Sequence, residues 1–513
     1  MGQETEQKSS DGIFGYNSAL YSQETPSLSL ASGLAWLLDN GYSWATNRTF
    51  GRFNYNYKDK YLLEANGAYM GSSLFSQSSR YAFFSSMSAG WNIAKEDFFN
   101  PLQKSISNLK LRASYGVSGD IESLLQSGSY YPSQAFLGTG AATSSTWAFS
   151  PTGARLPYVS PPGSFPSPTL TWQKPYVFDV GLDVDFLQDF SLSGDWYRRD
   201  IKDQLANGTV EYPATLYPSA PQINNAESVT KGWELTASWK HQYGDFALNA
   251  RMNLSHYSGE VTKWPNNPNE EIGQPYPGEK LGTIWGFKTV GKFQTQQQVD
   301  NAPSQAALYA GKWGPGDIQY ADLNNDGKID FGNGTVSDPG DEEIIGNSVP
   351  KYFYSLLTGA SWKGIFISVF LQGQGHADFA PPTGEGAFWG YTSYPFNSTI
   401  TPKSLDYWTP TNTNAYFPRP VLGNDASQLP QTGYLLNLAY MRIKNLQVGY
   451  TIPDKYTQRL HIYGLKIYTS CENLATFSGV FAHQYYDPEI LAAGTYSYPL
   501  QRTFSLGLNM NIK

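Results

Sequence analysis

The sequence carries little charge and almost no cysteine. Of its 513 residues only 15% are Asp, Glu, Lys or Arg, whereas soluble domains usually have about 25%. The single cysteine, Cys471, excludes an intramolecular disulfide framework. No apolar run approaches the roughly 18 residues that a membrane-spanning helix needs. The net charge of −8 argues against a nucleic-acid partner.

Motifs of known enzyme chemistry are also missing. The five histidines are scattered without metal-binding spacing, and no nucleophile elbow, P-loop or dinucleotide fingerprint is present. Asp and Glu residues are frequent enough to pair as glycosidase carboxylates, but nothing in the sequence places two of them together. We therefore expect that the chain is not an enzyme.

Alternating apolar and polar residues are what the sequence does contain, most clearly at residues 351–374, KYFYSLLTGASWKGIFISVFLQGQ. Its first arm places Tyr352, Tyr354, Leu356, Thr358, Ala360 and Trp362 on one side. After a turn at residues 362–364, the second arm places Ile365, Ile367, Val369 and Leu371 on one side. This period of two indicates a hairpin. Each arm has about ten residues, the length of a tilted transmembrane strand.

The same alternation recurs along most of the chain. We predict an all-β fold, a transmembrane antiparallel β-barrel portion of about 14 strands over residues 47–513, while residues 1–46 are expected to be loop or a poorly defined first element. Residues 109–118 give the cleanest strand, and residues 502–512 give the last one. The long aperiodic stretches at 119–170 and 379–433 are expected to be extracellular loops, since outer-membrane barrels have short turns on the periplasmic side.

One loop motif predicts a metal. In DLNNDGKID (residues 322–330), Asp322, Asn324 and Asp326 occupy positions 1, 3 and 5 of an EF-hand-type loop, with Gly327 at position 6. Lys328 would offer its backbone carbonyl and Asp330 would lie at position 9. Position 12 is Asn333, so we expect a residue further along to complete the set, Asp341 being our choice among Asp338, Asp341 and Glu342. The predicted cofactor is a structural Ca²⁺. The alternative is a polar turn whose side chains bond their own backbone.

Aromatic residues in the long loops are candidate substrate contacts, because their rings could stack on sugars. We name Tyr130, Tyr131, Trp147, Phe388, Trp389 and Tyr391. The alternative role is that they pack their own loops.

Seven segments together resemble one family. They are SAGWNIAKEDFF (88–99), LKLRASYGVSGD (109–120), LTWQKPYVFDVGLDVDFL (170–187), ADLNNDGKID with IIGNSVPKYFYSL (321–330 and 344–356), AYMRIKNLQVGYTIP (439–453), CENLATFSG with DPE (471–479 and 487–489) and YPLQRTFSLGLNMNIK (498–513). In this order they resemble the second half of the SusC/RagA-like TonB-dependent transporters.

The resemblance implies an outer-membrane location and a 22-stranded barrel of which this chain supplies the C-terminal part. It further implies import of oligosaccharides, or of peptides in some members, together with a SusD-like surface lipoprotein and with energy from TonB. Residues 1–20 have no basic or apolar signal segment, and a TonB box and plug are also missing. We expect a separate or omitted N-terminal portion to supply the plug and the contact with TonB.

Two other functions fit the strand pattern. A passive porin would need a barrel closed by these strands alone. A soluble all-β carbohydrate-binding module would need both sheet faces to be covered by protein or water. Membrane lipid is a partner only of the transporter and the porin.

Overall fold

One large antiparallel sheet organises the chain. The computed structural model describes residues 1–17, 35–134, 138–140, 158–160, 166–209, 220–390, 402–421, 425–479, 486–490, 498 and 500–512. Within these residues, fourteen strands, labelled β1 to β14 here, follow one another in chain order across the sheet. Each strand pairs antiparallel with its sequence neighbour, which is the meander expected of a barrel wall.

The strand bounds are as follows: β1 Gly2–Asn17, β2 Ala35–Tyr57, β3 Tyr61–Ser72, β4 Tyr81–Asn92, β5 Ile106–Val117, β6 Lys174–Phe186, β7 Phe190–Asn207, β8 Gln222–Tyr243, β9 Phe246–Lys263, β10 Lys351–Trp362, β11 Ile365–His376, β12 Tyr440–Thr451, β13 Ile462–Ser478 and β14 Thr503–Ile512. The predicted number of strands and the hairpin at 351–374 are therefore confirmed.

The two faces of the sheet differ in chemistry. On the outer face, Val369 of β11 lies opposite Thr358 of β10 and Leu446 of β12. On the inner face, the neighbouring Ser368 lies opposite Gly359 and Gln447. Because side chains alternate along a strand, this register puts Val369 on a mainly apolar outer face and Ser368 on the inner face, which Ser368 shares with Gln372 and Gln374 but also with Phe366 and Phe370.

Large apolar side chains of the outer face are exposed. Ile365 is 51% exposed, Leu506 83% and Leu508 59%. Aromatic residues lie at the strand ends, among them Trp362 and Phe246, which lie opposite each other near the short turns. This arrangement suits lipid contact with an aromatic girdle, and it is incompatible with a sealed protein core.

Short turns and long connections alternate along the wall. One end has tight turns at residues 58–60, 187–189, 244–245 and 363–364, whereas the other end has the connections 118–173, 264–350 and 377–439. We call these the short-turn end and the long-loop end. The asymmetry matches the predicted periplasmic and extracellular sides.

The long connections contain small elements of their own. Short strand pairs join Thr283–Phe287 to Glu342–Asn347, Thr289–Lys292 to Ile318–Tyr320, Asp378–Phe379 to Leu436–Asn437, and Gly138–Gly140 to Tyr158–Ser160. Among the described residues, the long connections also hold the α-helices Glu122–Gln126, Gln296–Asn301 and Gly386–Trp389 and the 3₁₀ helices Ala426–Gln428 and Thr432–Tyr434. At the short-turn end lie the α-helix Asp454–Thr457 and the 3₁₀ helices Ile93–Lys95, Asp97–Leu102 and Gln458–Leu460. No helix in the described part of the chain is long and apolar enough to span a membrane.

The prediction for residues 1–46 is wrong in the part that the structure describes. Residues 2–17 form β1, and residues 35–46 form the first half of β2. The segment GQETEQKSSD is polar on both faces, so it carries no alternating apolar signal. Its strand state comes from pairing with β2, from Gly2 opposite Phe50 to Asn17 opposite Ala35.

The sheet is open at both ends. In the described residues, β1 pairs only with β2, and β14 pairs only with β13. Each edge strand therefore presents a row of backbone groups that further strands can extend.

Candidate functional site

A cavity of about 600 Å³ lies on the inner face at the long-loop end. Tyr42, Trp44, Thr46 and Arg48 alternate along β2, so they share a face, and they lie opposite Ser10, Lys8, Glu6 and Glu4 of β1. Residues 119–130, in the loop after β5, line another side of the cavity. Its lining residues are Glu4, Glu6, Lys8, Tyr42, Trp44, Thr46, Arg48, Met70, Gly119, Ile121, Glu122, Leu125, Gln126, Tyr130 and Trp172.

An aromatic pair connects the wall to this loop. The rings of Tyr42 and Tyr130 are parallel within 5°, with centroids 3.8 Å apart. The hydroxyl of Tyr131 accepts a hydrogen bond of 3.0 Å from the backbone N–H of Ser43. The hydrogen bond with Tyr42 raises the pKa of Tyr130. Two of the predicted loop aromatics therefore lie beside the cavity.

Charged groups of both signs share the cavity with these rings. Arg48 forms an ion pair with Glu4 and lies 5.3 Å from the centroid of the Phe50 ring. Glu6 and Lys8 extend from β1 into the same space. A cavity with ring faces, hydroxyls and charges of both signs can stack on a flat or cyclic group and bond its polar substituents.

Tyr42, Trp44 and Arg48 were not among the site residues predicted from the sequence. The alternation of residues 42–48 continues the pattern of β2, and this signal could have extended the strand. Their contact with Tyr130 is long-range in sequence and needed the fold.

Two predicted loop aromatics are core residues rather than a stacking surface. Phe388 is 0% exposed and Trp389 1%, and both pack in a cluster with Phe417 and Tyr434. Their role in substrate stacking is corrected, because neither ring has a free face. Trp147 and Tyr391 lie outside the described residues, and their predicted role stays a prediction.

This aromatic cluster joins the connections at the long-loop end. Phe287, Ile318 and Tyr320 come from residues 264–350, and Leu436 comes from residues 377–439. Beside it, the carboxylate of Asp317, fully buried, accepts two bonds from Arg419, at 2.8 Å from Nε and 2.7 Å from Nη2. These connections therefore form one packed layer, which we call the loop layer.

The predicted metal residues bond mainly to their own backbone. Asp322 Oδ2 accepts from the Gly327 N–H at 2.9 Å, Asn324 Oδ1 from Asp326 at 3.0 Å, and Asp326 Oδ1 from Lys328 at 2.9 Å. Asp330 Oδ1 accepts from Gly332 at 2.8 Å.

Asp341 joins the two ends of this loop. Its carboxylate is buried and accepts from the N–H of Leu323 at 2.7 Å and of Asp330 at 2.9 Å. Burial raises the pKa of the adjacent Glu342 to about 7, so its charge is partial at neutral pH. In the part of the chain that the structure describes, no three His, Cys, Asp or Glu side chains are grouped as a metal site.

The inner wall also holds a charge cluster. Arg112 of β5 lies 2.8 Å from Asp183 and 3.0 Å from Asp195, measured between nitrogen and oxygen atoms. Ser193 donates a further bond of 2.7 Å to Asp183. The run of aspartates in β6 is therefore matched by an arginine on the neighbouring strand.

Comparison with known proteins identifies relatives over nearly the whole chain. TonB-dependent receptor P3 of Formosa agariphila is 27% identical, with 98% of this chain and 49% of that protein covered. TonB-dependent receptor SusC of Bacteroides thetaiotaomicron is 25% identical, with 91% and 44% covered. The chain thus spans about half the length of the relatives that it matches. No family model matches the chain.

Solved structures agree with the fold. The structure of the RagAB peptide transporter matches with a TM-score of 0.74 and 20% identity, and it covers 99% of this chain and 52% of that chain. Another structure, of the RagAB peptide importer in the open-open state, gives the same values. The resemblance to SusC/RagA-like proteins, the outer-membrane barrel fold and the outer-membrane location are confirmed. Both of these relatives are named TonB-dependent receptors, which agrees with the expectation that the chain is not an enzyme.

Proposed function

We propose that this relative of the SusC/RagA-like TonB-dependent transporters is the C-terminal barrel portion of an outer-membrane nutrient importer. The main supporting observation is a fourteen-stranded wall with an apolar outer face, in a chain that aligns over 98% of its length with one TonB-dependent receptor. In the proposal, a separate or omitted N-terminal portion pairs with the open edges of β1 and β14, supplies the plug and contacts TonB. A SusD-like lipoprotein covers the loop layer.

The cavity between β1, β2 and the loop after β5 is the proposed substrate contact. The paired rings of Tyr42 and Tyr130 suit the apolar face of a sugar, and the nearby Glu and Lys side chains suit its hydroxyls. An oligosaccharide is therefore the first candidate. A peptide is the second, favoured by the presence of both Glu6 and Lys8, since peptides carry charges of both signs.

The other two functions fit the structure less well. The strands of a passive porin would close on themselves, whereas in the described residues β1 and β14 do not pair with each other. A soluble binding module would not leave Phe504, Leu506 and Ile512 more than two-thirds exposed on one strand.

The proposal is tested by substrate binding with a pair of tyrosine variants. The barrel, assembled with its N-terminal portion, is expected to copurify with a SusD-like lipoprotein and to bind oligosaccharides in calorimetry. Tyr42→Ala should weaken binding about tenfold, because an aromatic contact contributes about 1.5 kcal/mol.

Tyr69→Ala is the matched control, since Tyr69 is an exposed tyrosine of the outer face. It should leave affinity unchanged. Binding of peptides in place of oligosaccharides would support the second candidate. Absence of binding by both classes, or equal affinities of the two variants, would contradict the proposed site.

The role proposed for the loop at residues 322–341 is structural calcium binding. Support comes from the oxygen donors at alternate positions and from Gly327, whose φ of 83° fits the sharp turn required at position 6. The ion would be held by the Lys328 carbonyl and by the side chains of Asp322, Asn324, Asp326 and Asp330. The Asp341 carboxylate would complete the ligand set, or it would fix the loop by accepting from the N–H groups of Leu323 and Asp330.

Calcium is expected to stabilise this loop by about 2.7 kcal/mol when its concentration is a hundredfold above Kd. The measurement is protection of the loop layer from limited proteolysis, with Mg²⁺ as the comparison ion. Asp326→Ala should abolish the protection, whereas Asp300→Ala, in the same connection but outside the motif, should not. Equal proteolysis with and without calcium would leave the loop as a self-bonded polar turn.

A further inference from the structure

We propose that the connection between β4 and β5, residues 93–105, is a membrane-interface anchor that binds lipid headgroups at the short-turn end. The connection contains two 3₁₀ helices, Ile93–Lys95 and Asp97–Leu102. The tight turns at the same end, such as residues 363–364, only reverse the chain. This connection is longer than a reversal requires, and it carries an apolar surface of its own.

Glu96 holds the connection against the outer, lipid-facing side of the wall. Its Oε1 accepts a hydrogen bond of 2.7 Å from the Tyr61 hydroxyl and one of 3.1 Å from Trp91 Nε1. Tyr61 and Trp91 lie opposite each other on β3 and β4, and both belong to the exposed aromatic face. Lys60 Nζ donates to Glu96 Oε2 at 3.1 Å. One carboxylate thus joins three donors at the end of the wall.

The connection has a packed side and an exposed side. Ala94 and Phe99 are buried, and Gln103 Nε2 donates to the Ala94 carbonyl at 2.9 Å, which folds the segment on itself. In contrast, Phe98 is 66% exposed and Leu102 52%. In water, two such side chains would be unfavourable on an ordered turn.

A lipid surface is the occupant that fits these exposed residues. Phe98 and Leu102 follow Glu96 in the chain, and Glu96 bonds to Tyr61 and Trp91 of the aromatic face, so both exposed side chains start from the depth where headgroups meet the hydrocarbon. Lys95, Asp97 and Lys104, all exposed, flank Phe98 and Leu102 in the sequence. Apolar side chains among exposed charges suit the boundary between hydrocarbon and charged headgroups.

The test places a spin label at each exposed position. Cys471 is the single cysteine of the chain, so Cys471→Ala gives a background for Phe98→Cys and Leu102→Cys in the assembled barrel, reconstituted in vesicles with anionic lipid. Collisions with oxygen, which concentrates in lipid, and with a water-soluble nickel chelate report depth. For both labels, the ratio of oxygen collisions to nickel collisions should be several-fold higher than for a label at Asp245→Cys, in the tight turn after β8.

If the oxygen-to-nickel collision ratios of the labels at positions 98 and 102 equal the ratio at position 245, the connection lies in water and the proposal is overturned. Low accessibility to both reagents would mean contact with protein, such as a second copy of the barrel, and would also overturn it. Glu96→Ala should shift both labels towards the value at 245. Asp97→Ala should not shift them, because the Asp97 side chain is nearly fully exposed and its ion pair with Lys60 spans 3.6 Å. Unchanged labels in Glu96→Ala would refute the positioning role of Glu96.

Discussion

Arg442→Ala is expected to lower the free energy of unfolding of the assembled barrel by about 3–5 kcal/mol, because it removes the buried cation that pairs with two carboxylates. The Arg442 side chain is only 2% exposed. Its Nη1 lies 2.6 Å from Glu489, its Nη2 lies 2.6 Å from Asp487, and its Nε donates to Thr476 Oγ1 at 2.8 Å. Every nitrogen of the guanidinium is therefore engaged.

Lys444→Ala is the matched control for this prediction. Lys444 is on the same strand and also contacts Glu489, at 2.6 Å, but its side chain is 23% exposed. We expect it to cost no more than about 1 kcal/mol, as for ion pairs with access to water. Unfolding of both variants by denaturant in lipid or detergent measures the difference. Equal losses would show that burial of Arg442 does not strengthen the network.

Loss of the Arg442 network should also loosen the loop layer. Asp487 and Glu489 lie beside Tyr486, whose ring lies 5.6 Å from Phe379 and 6.1 Å from Phe388 between centroids. The network thus connects β12 with the aromatic cluster of the loop layer. Limited proteolysis should cut the connection 479–502 faster in Arg442→Ala than in Lys444→Ala. Equal cutting would mean that the aromatic cluster holds this connection without the Arg442 ion pairs.

The wall could be predicted because its signal is local. Along β10 and β11, successive side chains face lipid and the inner side in turn, so the sequence itself shows a period of two. The turn at Trp362, Lys363 and Gly364 joins the two strands as expected. The strand conformation of β1 has no such local signal, because GQETEQKSSD is polar on both faces. This segment is a strand because it pairs with β2.

The candidate site could be predicted only in part because its contacts are long-range. Tyr130 contacts Tyr42 through the loop after β5, and Arg442 meets Asp487 and Glu489 from a different connection. Composition marks an aromatic loop, but it does not distinguish Tyr130, which lines a cavity, from Phe388, which is buried in a core. Only the packing of one connection on another separates the two roles.

Val369→Arg is expected to destabilise the assembled barrel by about 2–4 kcal/mol, the cost of a cation on the lipid face near the membrane midplane. Val369 lies on the outer face of β11, where its neighbours across the sheet are Thr358 and Leu446. On its own strand, Ile367 and Leu371 precede and follow it on the same face. Neither residue opposite Val369 in the register is anionic, so an introduced guanidinium would have lipid and uncharged side chains around it.

Ser368→Arg is the control that separates the membrane from general strand damage. Ser368 is the adjacent residue, on the same strand, and it faces the polar inner side opposite Gly359 and Gln447. An arginine there can extend into water, so its cost should stay below about 1 kcal/mol. Equilibrium unfolding in lipid vesicles measures both variants. If the two losses are equal, the outer face is not lipid-facing; if Val369→Arg alone is costly, the alternation of side chains along β11 separates membrane from water one residue at a time.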